Sequence, residues 1–438
     1  MKNSKGNRLI ITHNNRSFTD DARLASSDVA LVVSKHNETY RSQAIENGCK
    51  DFIQSADLIK HFDFSSIKII GITGTNGKTT TAATIYSILL DLGYKVALQG
   101  TRGFFINDDK VEEYSLTTPV QLGNFDHIIK AINEDCEYFV MEVSSHAIEQ
   151  NRIEGLQFAL KVHTNITQDH LDYHKTLQNY IDTKNSFFQD QSMKLINKDD
   201  PYIKYNIKNC FAYGVENPAT YKISAYSLKN GIHGVIQHFS NMANFSSPLV
   251  GLFNIYNITA AIGAVNLVTK KPLQEICNAV ENFAGVAGRM EVVSDIPYVV
   301  VDFAHTPDGM LKVFHTFNDY DIICVFGAGG NRDKQKRPLM GKVASQHCKE
   351  LILTSDNPRF EDPQLIVDDI VSGIETHFTN FTIELNRAQG IKNGISKTKN
   401  YKNPVVLILG KGDEEFQIIY DKKLQFNDKI IVQTLLGI

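Results

Sequence analysis

The chain lacks the features that mark several large protein classes. Its six cysteines form no Cys-x-x-Cys pair, so we expect free buried thiols rather than a zinc site or a disulfide framework. No run approaches the roughly 18 consecutive apolar residues of a membrane span, and no apolar segment follows the polar N-terminus as in a secretory signal. There is no evident internal repeat or low-complexity tract. A net charge of −4 argues against binding to nucleic acid or to a membrane surface, so we expect a cytoplasmic protein.

The length and the order of the predicted elements indicate three α/β domains. A chain of 438 residues, 42% of them apolar, can build about three cores of roughly 150 residues each. The short leading domain contains a predicted strand followed by a helix. Alternating strands and helices then predict a central domain with a mostly parallel sheet. We place the three domains at residues 1–64, 65–285 and 286–438.

The last domain begins after a glycine-rich hinge at residues 283–289. Strand candidates lie at 298–303, 321–326, 350–354 and 405–409, and helical stretches separate them. This alternation predicts a doubly wound, Rossmann-like sheet. Ligands of such sheets bind at the carboxyl ends of the strands.

The clearest chemical signal is a glycine-rich turn between a predicted buried strand and a helix. The predicted nucleotide-binding residues of this turn are Gly74, Thr75, Asn76, Gly77, Lys78, Thr79 and Thr80. Its glycines allow backbone N–H groups and the helix N-terminus to point at an anion. Lys78 would reach the β and γ phosphates of a nucleotide, and the Thr79 hydroxyl would hold Mg²⁺. The strict phosphate-loop pattern has glycine where this chain has Ile72, and the alternative is a plain glycine-rich turn.

Two further groups of polar residues follow predicted strands. Glu142 ends an apolar strand, with Ser144, Ser145 and His146 directly after it, and residues 164–174 are rich in imidazoles and carboxylates. A single Glu or His in such a place is often only a structural residue. Beside a phosphate loop, these groups together indicate Mg²⁺ coordination, because hard cations take oxygen ligands.

These motifs stand in the order that they have in the Mur ligases, which the chain resembles from Ile67 onward. The motifs are Gly-Thr-Asn-Gly-Lys-Thr-Thr at 74–80, Met-Glu-Val-Ser-Ser-His at 141–146, Asp-His-Leu-Asp-Tyr-His at 169–174, Gly-Leu-Phe-Asn-Ile-Tyr-Asn at 251–257, Val-Asp-Phe-Ala-His-Thr-Pro-Asp at 301–308, Gly-Ala-Gly-Gly-Asn-Arg-Asp-Lys at 327–334 and Gly-Lys-Gly at 410–412. The resemblance implies an ATP-dependent amide ligase of peptidoglycan precursor synthesis. In that reaction a substrate carboxylate attacks the γ-phosphate, and an amine then displaces phosphate from the acyl phosphate.

The resemblance also implies the catalytic residues and the metal ligands. The implied catalytic residues are Lys78, Glu142, His170 and Lys184. Mg²⁺ would be held by Thr79, Glu142, His170 and a carbamate that CO₂ forms on Lys184. Considered without the resemblance, Lys184 would be an ordinary solvated lysine on a helix.

ATP and a nucleotide sugar are two of the implied ligands. The adenine would lie by Asn254, the phosphates by Arg289 and a ribose hydroxyl by Asp302, and His305 could also contact the nucleotide. The implied contacts of UDP-N-acetylmuramoyl-L-alanyl-D-glutamate are Thr117, Thr118, Ser144, Gln150 and Arg152. The alternatives are a simple turn before a helix at 117–119 and a helix cap at Asp302.

The third implied ligand is meso-diaminopimelate. The segment Asp356-Asn357-Pro358-Arg359 follows a predicted strand and matches the Mur ligase motif that marks users of this amino acid. Diaminopimelate differs from lysine by a distal carboxylate, which Arg359 can bind through two hydrogen bonds. The other implied contacts are Arg332 and Gly410, with Glu414 for the distal ammonium. The alternative is an Asx-Pro turn with a surface arginine.

Two features depart from the Mur ligase pattern. Asp413 stands where these ligases usually have histidine, which adds a negative charge beside the expected amino-acid site. Much of the usual uridine-binding unit is also missing from the short leading domain. One alternative to a monomeric ligase that uses diaminopimelate is a lysine-adding or folylpolyglutamate-type ligase. Another is a nucleotide-binding or regulatory relative without catalysis, against which the intact implied catalytic residues argue.

Overall fold

The computed structural model describes residues 9–113 and 116–438. The elements of its leading unit are β1 (Ile11–His13), β2 (Arg16–Thr19), β3 (Val29–Val33), α1 (Arg41–Glu46) and β4 (Phe52–Gln54), with 3₁₀ turns at Glu38–Tyr40 and Ser55–His61. The four strands pair in sequence order, the first pair antiparallel and the others parallel. Phe18 and Leu58 share an apolar cluster with Leu122 and Phe125 of the central unit. The leading unit is therefore anchored to the central unit by buried apolar surface.

The central unit is built on one mixed sheet. Its strands are β5 (Lys68–Thr73), β6 (Val96–Gly100), β7 (Gly103–Ile106), β8 (Asp109–Glu112), β9 (Tyr138–Glu142), β10 (Phe158–His163), β11 (Lys194–Asn197), β12 (Cys210–Gly214), β13 (Tyr221–Ser227), β14 (Ile232–His238) and β15 (Asn241–Ser247). Its helices are α2 (Lys78–Asp91), α3 (Gln121–Asn133), α4 (Ser145–Glu149), α5 (Leu171–His174), α6 (Leu177–Ser186), α7 (Leu252–Thr269) and α8 (Leu273–Ala279), followed by a 3₁₀ turn at Val280–Asn282.

The strands of this sheet run in the order β15-β14-β13-β12-β11-β10-β5-β9-β6-β7-β8. The strands from β13 to β6 are parallel, and antiparallel pairs extend both edges. Ile70 of β5 packs in one apolar cluster with Ile85 and Ile258 on helices, while its neighbour Ile69 packs with Ile128 on the opposite face. Because helices cover both faces, the central strands are continuous apolar runs.

The C-terminal unit is a second, smaller α/β sheet. Its elements are β16 (Glu291–Asp295), β17 (Tyr298–Asp302), α9 (Pro307–Thr316), β18 (Asp321–Phe326), α10 (Lys336–His347), β19 (Glu350–Leu353), α11 (Pro363–Val371), β20 (Phe381–Ile383), α12 (Arg387–Lys397), β21 (Pro404–Leu409), β22 (Phe416–Ile419), β23 (Lys422–Gln425) and α13 (Asp428–Leu436), with a 3₁₀ turn at Thr398–Asn400. The order is β16-β17-β21-β18-β19-β20, parallel except for β16, and β22 and β23 form a separate hairpin. Val299 and Val300 lie in apolar clusters on opposite faces.

Strand predictions from apolar runs agree with the structure, whereas the half-exposed strands were not predicted. The strands predicted at 158–163 and 321–326 have the same bounds in the structure. The antiparallel strands β13 to β15 carry many polar residues, because one side of each faces solvent for much of its length. Such strands lack the apolar run that marks a buried strand. The domain limits at 64/65 and 285/286 stay a proposal.

Helix α7 starts at Leu252, seven residues before the predicted start at Thr259. Within the described residues it is the one helix long and apolar enough to meet the composition test for a membrane span. However, 67% of that 18-residue window is buried inside the protein. Its residues join the central core beside α2, which accounts for its apolar character.

Candidate functional site

A large cavity lies between the central and C-terminal sheets. Its volume is about 1690 Å³, and residues at or just beyond the carboxyl ends of β5, β9, β10, β17, β18, β19 and β21 line it. This placement follows the rule for doubly wound sheets. The predicted site residues in its wall are Thr75, Asn76, Gly77, Lys78, Thr79, Thr80, Thr117, Glu142, His170, Asn254, Arg289, Asp302, His305, Arg332, Asp356, Asn357, Arg359, Gly410 and Glu414. The predicted residues outside the lining are Gly74, Thr118, Ser144, Gln150, Arg152, Lys184 and Pro358.

The phosphate loop lies at the floor of this cavity. Gly77 has φ +83° at the start of α2, and a Cβ there would overlap the Asn257 side chain. The Asn76 N–H donates to Asn165 Oδ1 (3.0 Å), which fixes the loop against the strand β10 end. Lys78 Nζ donates to the carbonyl oxygens of Gly74 (2.7 Å) and Thr75 (2.8 Å), so the amine lies across the loop. The N-terminus of α2 and a lysine amine therefore meet where an anion can bind.

Glu142 is the buried carboxylate next to this loop. Its Oε2 accepts a hydrogen bond from Thr79 Oγ1 (3.0 Å), and its Oε1 accepts one from the Thr101 N–H (2.9 Å). Thr101 Oγ1 also donates to Oε2 (3.2 Å). Glu142 and Thr79 thus present oxygen donors side by side, as a hard cation requires.

Gly100 leaves the space that the Glu142 side chain occupies. A Cβ at position 100 would overlap Glu142 Oε1. We expect Gly100→Ala to displace this carboxylate and to lower ligase activity about 10- to 100-fold, while the protein stays folded. Steady-state phosphate release and thermal unfolding measure the two effects. Gly93→Ala is the control, because nothing lies within 4 Å of a Cβ there, although its φ of +86° makes a small loss of stability expected in that variant. Wild-type activity of Gly100→Ala would contradict this account of the Glu142 position.

His170 and His305 face one buried carboxylate, that of Asp169. Asp169 Oδ2 lies 3.4 Å from His170 Nε2 and 4.0 Å from His305 Nε2. Burial alone would raise the pKa of Asp169, but His170, His305 and Lys336 lower it overall. Desolvation lowers the pKa of His305 to about 4 and shifts that of His170 in the same direction. Both imidazoles are therefore neutral near pH 7 and can act as ligands or acceptors.

Lys184 is buried on α6 and is not a solvated lysine. Only 1% of the residue is exposed, and its Nζ donates to the Gly74 carbonyl oxygen (2.9 Å), which also accepts from Lys78 Nζ. The amine also lies 4.9 Å from the ring centroid of Tyr180. Burial, and next the charge of Lys78, lower the pKa of Lys184 well below its usual value. The neutral amine, which is the nucleophilic form, is therefore favoured at this position.

The residues predicted for the nucleotide sugar form a connected network beside the cavity. Thr118 Oγ1 donates to the Glu142 carbonyl oxygen (2.9 Å) and accepts from the Ser144 N–H (2.9 Å). Arg152 donates to the Thr118 carbonyl oxygen (2.8 Å) and to Gln150 Oε1 (2.7 Å). Of this group, only Thr117 reaches the cavity wall.

The residues predicted to bind the nucleotide come from both units: Arg289 and Asp302 from the C-terminal unit, and Asn254 from α7 of the central unit. The Arg289 guanidinium lies over the Phe303 ring at 4.0 Å, and its buried Nε has no hydrogen-bond partner within the described residues. Asp302 accepts from the backbone N–H groups of Met290 and Ala304, both at 2.7 Å, and burial raises its pKa. Asn254 accepts a hydrogen bond from Asn257 (2.9 Å), so part of its amide is already used within α7.

The Asp356-to-Arg359 segment forms the far end of the cavity. Arg359 has φ +53°, and its backbone pairs with β22, since its N–H donates to the Ile418 carbonyl oxygen (3.0 Å). Its guanidinium donates to the Gly330 carbonyl oxygen (2.9 Å). Burial, and next the charge of Arg332, lower the pKa of Arg359. Two guanidinium groups at one end of a cavity favour an anionic ligand.

Glu414 and Asn357 lie on the same wall as Arg359. Glu414 Oε2 accepts from Asn357 Nδ2 (2.7 Å) and from Lys411 Nζ (2.7 Å). Lys411 is fully buried and also donates to Asn357 Oδ1 (3.2 Å). This end of the cavity therefore presents negative charge from Glu414 and positive charge from Arg332 and Arg359. Such a mixed lining suits a zwitterionic ligand.

Several residues of the site were not predicted as site residues. Thr101 holds Glu142, Asn257 packs on Gly77, and Lys411 holds Glu414. Asn257 and Lys411 stand within the motifs already quoted, which is a signal for them. Thr101 only follows a strand end, and its role depends on where β6 lies beside β9.

Comparison with known proteins agrees with the geometry of this site. Residues 72–265 match the Mur ligase middle domain, and residues 288–412 match the Mur ligase glutamate ligase domain. The UDP-N-acetylmuramoyl-L-alanyl-D-glutamate–2,6-diaminopimelate ligase of Wolinella succinogenes is 51% identical over 420 residues, which are 96% of each chain. The ligase of the same name from Helicobacter hepaticus is 44% identical and covers 97% of each. The chain belongs to the Mur ligase family.

Solved structures support the same assignment. A structure of a UDP-N-acetylmuramoyl-L-alanyl-D-glutamate–2,6-diaminopimelate ligase superposes with TM-score 0.67 at 28% identity, over 96% of this chain and 94% of that one. A pseudomurein peptide ligase type C from Methanothermus fervidus has TM-score 0.68 at 18% identity, over 96% of this chain and 88% of that one, which shows the shared fold alone. The predicted α/β Mur ligase fold is therefore confirmed. Mur ligases use ATP and Mg²⁺, and the Thr79 and Glu142 oxygens fit such a cation.

Proposed function

We propose that this Mur ligase adds meso-2,6-diaminopimelate to the D-glutamate of UDP-N-acetylmuramoyl-L-alanyl-D-glutamate. The observation that carries the proposal is that one cavity joins the phosphate loop to the guanidinium of Arg359. A carboxylate activated at one end can therefore meet an amine held at the other. The relatives at 51% and 44% identity carry the name of this reaction, which agrees with the geometry.

The chemistry needs positioning and charge neutralisation more than proton transfer. The N-terminus of α2 and Lys78 neutralise the phosphates of ATP as the glutamate carboxylate attacks the γ-phosphate, the bond to the β–γ bridging oxygen breaks and ADP leaves. The amine of diaminopimelate then attacks the acyl phosphate, and phosphate leaves from the tetrahedral intermediate. Arg289, Asp302 and His305 hold the nucleotide from the C-terminal unit, and Asn254 on α7 holds it from the central unit.

We assign the metal to Thr79, Glu142 and His170, and a carbamate to Lys184. Mg²⁺ bound there supplies positive charge to the transferring phosphate oxygens. Lys184 fits carbamate formation, because burial lowers the pKa of its amine and CO₂ reacts with the neutral form of an amine. Its hydrogen bond to the Gly74 carbonyl oxygen holds the amine in contact with the phosphate loop.

The nucleotide-sugar substrate is assigned to the network around Thr117, Thr118, Ser144, Gln150 and Arg152. The distal carboxylate of diaminopimelate is assigned to Arg359 and Arg332. The distal ammonium is assigned to Glu414, and Gly410 and the segment 356–358 shape the pocket. A monomeric, cytoplasmic enzyme with domains at 1–64, 65–285 and 286–438 completes the proposal.

An amino-acid competition assay tests this function. With ATP, Mg²⁺ and UDP-N-acetylmuramoyl-L-alanyl-D-glutamate, we expect phosphate release with meso-diaminopimelate to exceed that with L-lysine about 100-fold in kcat/KM. Lysine leaves the Arg359 guanidinium without its anion. Equal turnover with lysine would assign a lysine-adding ligase instead, and no turnover with either amino acid would reject a peptide ligase.

A further inference from the structure

Arg102 and Asp413 connect the two halves of the enzyme through charge. Arg102 Nε lies 2.9 Å from Asp413 Oδ2, and the side chains are 35% and 17% exposed. Among residues 9–113 and 116–438, it is the one lysine or arginine ion pair that joins residues 65–285 to residues 286–438. Neither residue lines the large cavity. Their role is therefore separate from contact with substrate.

The Arg102 end of the pair is fixed to the metal-binding side. Arg102 stands in the short turn between β6 and β7, directly after Thr101, which holds both oxygens of Glu142. Gly103 closes the turn at φ +120°, and a Cβ there would overlap the Glu112 and Glu113 carbonyl oxygens. The turn is thus tight. Because its backbone is constrained, the position of Arg102 is coupled to that of Thr101.

The Asp413 end is fixed to the amino-acid side. Asp413 directly precedes Glu414, whose N–H donates to the Lys411 carbonyl oxygen (3.0 Å). The Glu414 carboxylate is in turn held by Lys411 and Asn357. Gly412, at φ +54°, packs on Phe303 and Gly288, so the loop has little freedom of its own.

We propose that Arg102 and Asp413 are positioning residues that hold the 410–414 loop against the turn at 100–103. The pair keeps Glu142 and Glu414 at a fixed separation, so the activated carboxylate and the incoming amine meet. The negative charge of Asp413, expected beside the amino-acid site, is paired with Arg102. This inference rests on the proposed ligase function and adds a link between its two ends.

A charge-swap series tests the pair. The variants are Arg102→Glu, Asp413→Arg and the double variant that carries both changes. We expect each single variant to raise KM for meso-diaminopimelate about tenfold, because attraction becomes repulsion across the two halves, with a smaller effect on kcat. The dissociation constant of a non-hydrolysable ATP analogue, which binds at the phosphate loop, should change less than twofold. The double variant should recover KM to within about threefold of wild type.

Matched controls separate this role from a general loss of structure. Lys271→Glu, Glu275→Lys and their double variant swap an exposed pair (2.8 Å) at the start of α8, and they should leave every constant unchanged. Single variants at 102 and 413 that match these controls would overturn the proposal. A double variant no better than the singles would overturn it as well.

A structural readout keeps the pair testable if the ligase assignment fails. If the wild-type protein showed no turnover with meso-diaminopimelate, the proposed function would be rejected. The proposed link between Arg102 and Asp413 would still be open to test. Small-angle scattering in the presence of the ATP analogue then tests whether the pair holds the two halves together. A larger radius of gyration in both single variants, restored in the double variant, supports the link. Identical profiles in wild type and single variants overturn it.

Discussion

Replacing Lys184 by alanine should lower ligase activity at least about 100-fold while the protein stays folded. Alanine has no side-chain amine, so a carbamate cannot form at this position. The Lys184 amine is buried beside the phosphate loop, and burial lowers its pKa and so shifts it toward the neutral form, which reacts with CO₂. Activity of the wild type should also fall when CO₂ and bicarbonate are removed and return when bicarbonate is added. Steady-state phosphate release measures both effects.

The carbamate itself can be detected without an activity assay. Carbon-13 bicarbonate should give one carbamate signal in the NMR spectrum of wild type, and that signal should be absent from Lys184→Ala. Lys208→Ala is the control, because Lys208 is exposed and its amine donates to the exposed Gln191 side chain (2.7 Å). A full signal in Lys184→Ala, or full activity of that variant, would remove the carbamate from the mechanism.

Replacing Arg359 by alanine should abolish the preference for meso-diaminopimelate over L-lysine. Each charge-assisted hydrogen bond to the distal carboxylate contributes about 1.5–3 kcal/mol. Losing two of them should lower kcat/KM for meso-diaminopimelate about 100-fold or more, since 1.4 kcal/mol is a factor of ten. Turnover of lysine should stay the same or rise, because the like charge opposite its ammonium is gone.

The structure supplies controls for the Arg359 experiment. Arg359→Lys keeps the charge but loses the two-pronged geometry, so its kcat/KM should lie between wild type and alanine. Phe360→Ala changes the next residue, which is 68% exposed and outside the cavity wall, and it should act as wild type. The backbone bonds of position 359 to β22 do not need its side chain, so unfolding temperatures should be similar. An unchanged preference in Arg359→Ala would assign the distal carboxylate to another group.

Local sequence patterns predicted the elements that bind the phosphates. The apolar run before Gly74, the two glycines and the lysine specify a strand, a turn and a helix through short-range sterics. The structure has these three elements in that place. The predicted helix that carries Lys184 is also present, at Leu177–Ser186. The position of Lys184 on that helix was predicted by resemblance, but its burial was not evident from neighbouring residues.

Partners far apart in the chain were decided by tertiary packing. Thr101 holds Glu142 because β6 pairs with β9, and nothing near Thr101 in the sequence indicates this. Asp413 was expected to act on the amino-acid site, but its carboxylate pairs with Arg102, more than 300 residues earlier in the chain. Half-exposed strands such as β14 were missed because they lack an apolar run.

The sequence by itself determined the chemistry that this protein carries: a phosphate loop, acidic and imidazole groups after strands, and an arginine after a C-terminal strand. Those signals are local, since glycine dihedrals, strand periodicity and side-chain type act over a few residues. The tertiary structure alone decided that both sheets present their carboxyl ends to one cavity and that Lys184 loses contact with water. Both outcomes depend on burial and on contacts between distant segments, which no short stretch of sequence contains.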